Sequence, residues 1–135
     1  MKILIIEKDA IVSILQKKWI SKICKAPPLM FQNGLEAISF LELQALENPS
    51  EEFLIFLDLN MPGMNGWEFL DACEHRTSPN KISVVIVTSS KLDKDIKKAF
   101  NSPLIIEFLN KPLDAEGFST ILSKVQKFVT TKINS

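Results

Sequence analysis

Cysteine is scarce. The 135 residues contain two, Cys24 and Cys73, far apart and in no metal-binding or redox spacing. That argues against a disulfide framework and makes a reducing cytoplasm the expected compartment. Glycine is scarce too; four glycines and seven prolines do not make a collagen-like or linker-like chain. Neither sign of charge prevails. Sixteen basic side chains balance 16 acidic ones, which leaves no global attraction for nucleic acid or an anionic membrane. No apolar run approaches the ~20 residues that span a bilayer. The opening Met1–Ile6 segment meets Glu7-Lys8-Asp9 too early for a signal peptide, whose apolar core needs ~7–15 residues. Hydrophobic residues are plentiful, at 46%, enough for a packed core and too many for a disordered chain. The length suits one domain.

Two hydrophobic signatures alternate along the chain. Short, nearly continuous apolar runs at Ile3–Ile6, Leu29–Phe31, Phe53–Leu57, Val84–Val87 and Leu104–Leu109 predict strands buried on both faces. Between them lie helical stripes: Ile11, Leu15, Trp19 and Ile23; then Ile38, Leu41 and Ala45; then Gly66, Phe69, Leu70 and Cys73; then Leu92, Ile96, Ala99 and Phe100. Phe118, Ile121, Leu122, Val125, Phe128 and Val129 predict a fifth helix. Strict alternation implies right-handed crossovers and a parallel sheet with helices on both faces. By analogy this is a flavodoxin-like α/β fold of five strands in the order 2-1-3-4-5. Residues 1–129 are expected to form this domain, with 130–135 a frayed tail. Trp19 and Trp67 read as helix–sheet packing, His75 as a surface histidine, and the 91–98 segment as a mostly solvated helix face.

In such a sheet ligands bind beyond the carboxyl ends of the strands. The first strand runs into Glu7, Lys8 and Asp9, the third into Asp58, the fourth into Thr88, and the fifth into Lys111-Pro112. Carboxylates, a hydroxyl and an ammonium on one edge suit a phosphoryl group and a divalent cation.

These residues carry a resemblance. Asp58-Leu59-Asn60-Met61-Pro62-Gly63-Met64-Asn65-Gly66, followed by Thr88 and Lys111-Pro112, resembles the receiver domain of two-component response regulators. The resemblance covers nearly the whole chain. It implies that Asp58 accepts a phosphoryl group from a sensor histidine kinase or a histidine phosphotransfer protein. Asn60 would offer its backbone carbonyl to Mg²⁺, with Asp58 a direct ligand and Glu7 acting through water. Thr88 and Lys111 would bind the phosphoryl oxygens, Phe108 would be the aromatic switch beside Thr88, and the bond before Pro112 would be cis. The implied output is a protein-binding surface that engages a downstream protein effector, in a monomer or weak homodimer, with no nucleic acid or membrane partner. Such a domain is a signalling switch and not a turnover enzyme. Fewer than about 25 residues follow the Lys-Pro pair, enough for one helix, so a stand-alone regulator is expected.

One position departs from the family pattern. A second acid, a direct metal ligand, is expected where Lys8 stands, and Asp9 comes one residue late, pointing elsewhere. A unit charge and Mg²⁺ about 5 Å apart interact by roughly 6–7 kcal/mol at an effective dielectric of about 20, before solvent screening. Exchanging an acid for a cation reverses that sign, so Mg²⁺ binding is expected to be weak. Lys8 is equally consistent with drift, with a built-in cation replacing the metal, or with a pseudo-receiver that binds partners without phosphorylation. Two other classes fit less well. A haloacid dehalogenase-type phosphohydrolase needs an Asp where Asn60 stands. A flavin-binding flavodoxin needs an anion-binding loop where Glu7-Lys8-Asp9 stands.

Overall fold

The computed structural model describes residues 1–22, 27–75, 80–89 and 92–111, together with positions 123, 124 and 127. Five strands are present: β1 (Lys2–Ile6), β2 (Leu29–Phe31), β3 (Phe53–Leu57), β4 (Ile82–Thr88) and β5 (Ile105–Asn110). All neighbours pair in parallel, in the order β2-β1-β3-β4-β5. This is the flavodoxin-like sheet expected from the alternation. Every residue of β3 and β4 is buried, which is why β3 and the Val84–Val87 stretch of β4 read as unbroken apolar runs. β4 and β5 shift register between Val84 and Val85, yet Thr88 still pairs with Asn110 at the carboxyl edge.

Four helices connect the strands: α1 (Ala10–Ile20), α2 (Gly34–Glu47), α3 (Gly66–Glu74) and α4 (Asp93–Phe100). The two sheet faces carry separate cores. Ile6, Ile55, Leu57, Val84 and Ile86 pack with residues of α2 and α3 such as Leu41 and Phe69. Ile3, Ile5, Phe56, Val85 and Val87 pack with Ile20 of α1. The alternation of side chains along each strand sorts them to the two faces.

The α3 stripe is buried at all four of its expected positions. The α1 stripe is not. Its buried face is Ser13, Gln16 and Ile20, whereas Ile11 and Leu15 are exposed. The cause is local. The Asp9 carboxylate accepts from the Ile11 and Val12 amides at 2.9 and 3.2 Å, fixing where the helix starts. The Ser13 hydroxyl then donates to Met30 Sδ at 3.2 Å on β2, turning the polar side inward. In α4 only Ala99 of the expected stripe is buried, and Phe100 is exposed. The apolar stripe of the expected fifth helix, the tail, Cys24 and Pro112 with its cis bond lie outside the described residues. Among the described residues no helix is long and apolar enough to cross a membrane.

Candidate functional site

The parallel register brings the ends of β1, β3, β4 and β5 to one edge. Backbone bonds set their relative positions: the Glu7 amide donates to Phe31 O, the Asp58 amide to Ile6 O, and the Lys111 amide to Thr88 O at 2.7 Å. On this frame the Lys111 ammonium donates to Glu7 Oε2 at 2.7 Å and to Asp58 Oδ2 at 3.3 Å. Both carboxylates are almost fully buried, at 1% and 3% side-chain exposure, and Lys111 retains 17%. Thr88 is wholly buried at the end of β4. An acid pair, an amine and a threonine thus share one small region, with one negative charge in excess among Glu7, Asp58 and Lys111.

Each carboxylate is further oriented by backbone. Glu7 Oε1 accepts from the Asp9 amide at 3.1 Å, and Asp58 Oδ1 accepts from the Asn60 amide at 3.1 Å. Burial holds the Glu7 carboxyl above its ordinary value of 4.5. The Lys111 hydrogen bond opposes that shift, the Asp58 charge reinforces it, and the Asp9 amide opposes it.

The loop after Asp58 is shaped to approach the site closely. Gly63 adopts φ +72°, a left-handed turn that suits glycine. The Gly66 amide donates to Leu59 O at 2.9 Å. A β-carbon at Gly66 would sit 2.6 Å from Leu59 Cα and 2.8 Å from Asp58 O, so the α3 start lies directly on the backbone of Asp58 and Leu59. Asn65 and Glu68 close a capping box over that helix start.

The other expected site residues divide clearly. Asn60 is exposed in the loop, two residues beyond Asp58. Phe108 is half-buried and packs against the larger core. Asp9 is absent from the acid pocket because its carboxylate caps α1. Among the described residues no ion pair joins Lys8 to the Glu7–Asp58–Lys111 cluster. Lys8 is exposed and lines a cleft of about 550 Å³ with Asn60, Pro62, Trp67, Lys94 and Asp95. Periodicity missed the setting of Trp67. Although packed against the core, its indole Nε1 donates to Asp95 Oδ1 at 3.1 Å, and Lys98 Nζ lies 4.8 Å from its ring centre. The i, i+3 spacing of Asp95 and Lys98 on a mostly charged helix was the available signal.

For a magnesium ion the chain offers the Asp58 and Glu7 carboxylates and the Asn60 carbonyl. That set fits, because Mg²⁺ takes one or two carboxylates and completes its shell with water. It is a lean set. Among the described residues no group of three acidic, histidine or cysteine side chains gathers to hold a metal.

Residues 3–123 match the response regulator receiver domain. The chain is 30% identical over 139 residues to the transcriptional regulatory protein MalR of Bacillus subtilis (strain 168), across 98% of this chain and 54% of MalR. It is 32% identical over 100 residues to the two-component response regulator ARR17 of Arabidopsis thaliana, across 70% of this chain and 65% of that protein. The chain therefore spans between 54% and 65% of the length of these curated relatives. A two-component response regulator structure from Cytophaga hutchinsonii superposes with a TM-score of 0.72 at 31% identity, covering 93% of this chain and 96% of that one. With the family matched across most of its length and the fold shared with a solved member, this chain belongs to the response regulator receiver domain family.

Proposed function

We propose that the chain is the phospho-acceptor switch of a two-component phosphorelay, with Asp58 the acceptor. Receiver domains are signalling domains that interact with histidine kinases or phosphotransfer proteins and with effectors, and they generally bind Mg²⁺. The observation that carries the residue-level reading is Lys111. Its ammonium bridges two buried carboxylates that end different strands. A buried ion triad of this kind is weak as a stabilising device, and a carboxylate beside a cation that can pair with incoming phosphoryl oxygens suits phosphoryl acceptance.

In the proposed reaction one Asp58 carboxylate oxygen gives its electron pair to the phosphorus of a phosphohistidine. The P–N bond breaks, and its pair leaves on the imidazole nitrogen. The product is an acyl phosphate. Lys111, already 3.3 Å from Asp58, moves from sharing Glu7 to pairing with the phosphoryl oxygens. Thr88 binds another of those oxygens. Asp58, the Asn60 carbonyl and, through water, Glu7 would hold Mg²⁺, which would supply charge neutralisation. Phosphorylation replaces one negative charge by about two at neutral pH. Drawing Thr88 inward frees space beside Phe108 and biases the α4–β5 surface toward a state that a protein effector reads. Exposed Ile11 and Ile14, on the helix that starts just after Glu7, suit docking of a protein donor. Cys73 is a buried free thiol, consistent with a cytoplasmic domain.

A second reading, a pseudo-receiver that binds partners without phosphorylation, rests on Lys8 alone. Incubation with acetyl phosphate and Mg²⁺ followed by intact-protein mass measurement separates the two. The switch predicts one added phosphoryl group, absent in Asp58→Asn. No adduct from acetyl phosphate or from a cognate kinase leaves the binding module.

A further inference from the structure

We propose that Lys8 is a resident cation of the acceptor cleft, one that pairs with the phosphoryl group on Asp58 and takes over part of the charge neutralisation a divalent ion would give. This inference rests on the reading of Asp58 as phospho-acceptor.

The root of Lys8 is fixed and its end is free. Glu7 is anchored by Lys111, and Asp9 is anchored both by capping α1 and by its amide bond to Glu7. These bonds hold the backbone on both sides of Lys8. Glu7 turns its carboxylate to Lys111, and Lys8 stands in the bend that follows β1, on the wall of the neighbouring cleft. Among the described residues the Lys8 ammonium has no ion-pair partner, and its four-carbon stem leaves it mobile.

The cleft it lines adjoins Asp58 through the two residues that follow it, Leu59 and Asn60. Its wall includes Asn60, whose amide holds Asp58 Oδ1, while Oδ2 is held by Lys111. The two oxygens of the acceptor thus face two environments, Lys111 and Glu7 on one side and the Asn60 wall of the Lys8 cleft on the other. A phosphoryl group entering from the cleft meets Lys111 behind it and Lys8 in front. Lys94 lines the same cleft and adds a second cation, while the Asp95 carboxylate there is engaged by the Trp67 indole. The charge count agrees. The Glu7–Asp58–Lys111 cluster has one negative charge in excess, phosphorylation adds about one more, and Lys8 cancels it. The same ammonium repels a divalent ion from the site, in keeping with the lean donor set.

The test uses the full chain, with Lys8→Asp and Lys8→Met, both at an exposed position. Binding of Mg²⁺ alone is measured by calorimetry, and phosphorylation by acetyl phosphate is followed by intact mass in EDTA and in millimolar Mg²⁺. The wild-type rate should differ by no more than about threefold between the two buffers, whereas Lys8→Asp should lose at least about tenfold in EDTA and bind Mg²⁺ at least about tenfold more tightly. Lys8→Met should also lose the EDTA reaction. Wild type that fails in EDTA while Lys8→Asp reacts in Mg²⁺, or Lys8→Met as reactive as wild type in EDTA, overturns the role of Lys8 and leaves Asp58 as acceptor. No adduct on any chain in either buffer overturns both.

Discussion

Replacing Lys111 by methionine removes the only cation seen between Glu7 and Asp58 among the described residues and leaves a side chain of similar length. At 2.7 and 3.3 Å the two contacts correspond to about 6 and 5 kcal/mol of Coulomb attraction at an effective dielectric of about 20. Most of that gross attraction only offsets the cost of burying three charges. The loss on deleting one partner of a buried ion group is about 3–5 kcal/mol, which is the destabilisation expected at pH 7. The penalty must also depend on pH. Burial already holds the Glu7 carboxyl above 4.5, and without Lys111 it rises further. As the pH falls toward 4.5, Glu7 takes up a proton, and the variant's cluster returns to the single negative charge that the wild type carries. Urea unfolding monitored by Trp19 and Trp67 fluorescence should therefore show the full cost at pH 7 and a much smaller one near pH 4.5, with an unchanged denaturant slope. Glu7→Gln combined with Lys111→Met should recover most of the loss. A cost below about 1 kcal/mol at pH 7, or one that does not vary with pH, refutes the reasoning.

Other substitutions probe separate parts of the structure. Glu7→Gln should be more stable than wild type at pH 7. The folded-state value of Glu7 lies above the unfolded one, so its favourable contribution is full below pH 4.5 and is lost as the pH rises through the folded value. The advantage of the variant should close below pH 4.5 in thermal unfolding. Gly66→Ala drives a methyl group into the backbone of Leu59 and Asp58 and should cost about 1–3 kcal/mol. Its rate of phosphorylation should fall as well, because Asp58, the proposed acceptor, is displaced. Trp67→Phe removes the 3.1 Å bond to Asp95 and weakens the contact with Lys98, a loss of about 1 kcal/mol in denaturant titration.

Much of the site is legible in the sequence for a topological reason. Once the apolar runs imply a parallel sheet, all strand ends lie on one edge, and the residues that terminate β1, β3, β4 and β5 must gather there. Glu7, Asp58, Thr88 and Lys111 follow from that argument before any contact is known. The partition of Lys111 between Glu7 and Asp58 does not, since it joins residues 104 and 53 positions apart. The stripe on α3 is legible because its buried face is wholly apolar apart from Gly66. The phase of α1 is not, because Ser13 and Gln16 occupy the buried face and Ile11 and Leu15 the exposed one. Hydrophobic periodicity assumes that apolar means inward, and here the Asp9 cap and the Ser13–Met30 contact decide otherwise. The place of Lys8 on a cleft wall with Asn60 and Lys94 is likewise beyond periodicity, because it joins three separate segments of the chain.

The most direct test of the central claim locates the phosphoryl group chemically. After reaction with acetyl phosphate, borohydride reduces an acyl phosphate on aspartate to homoserine, and tandem mass spectrometry of the digest identifies the altered position. The account predicts homoserine at position 58 and at no other residue. Conversion at a different carboxylate, or phosphate retained on a histidine or a hydroxyl, contradicts it.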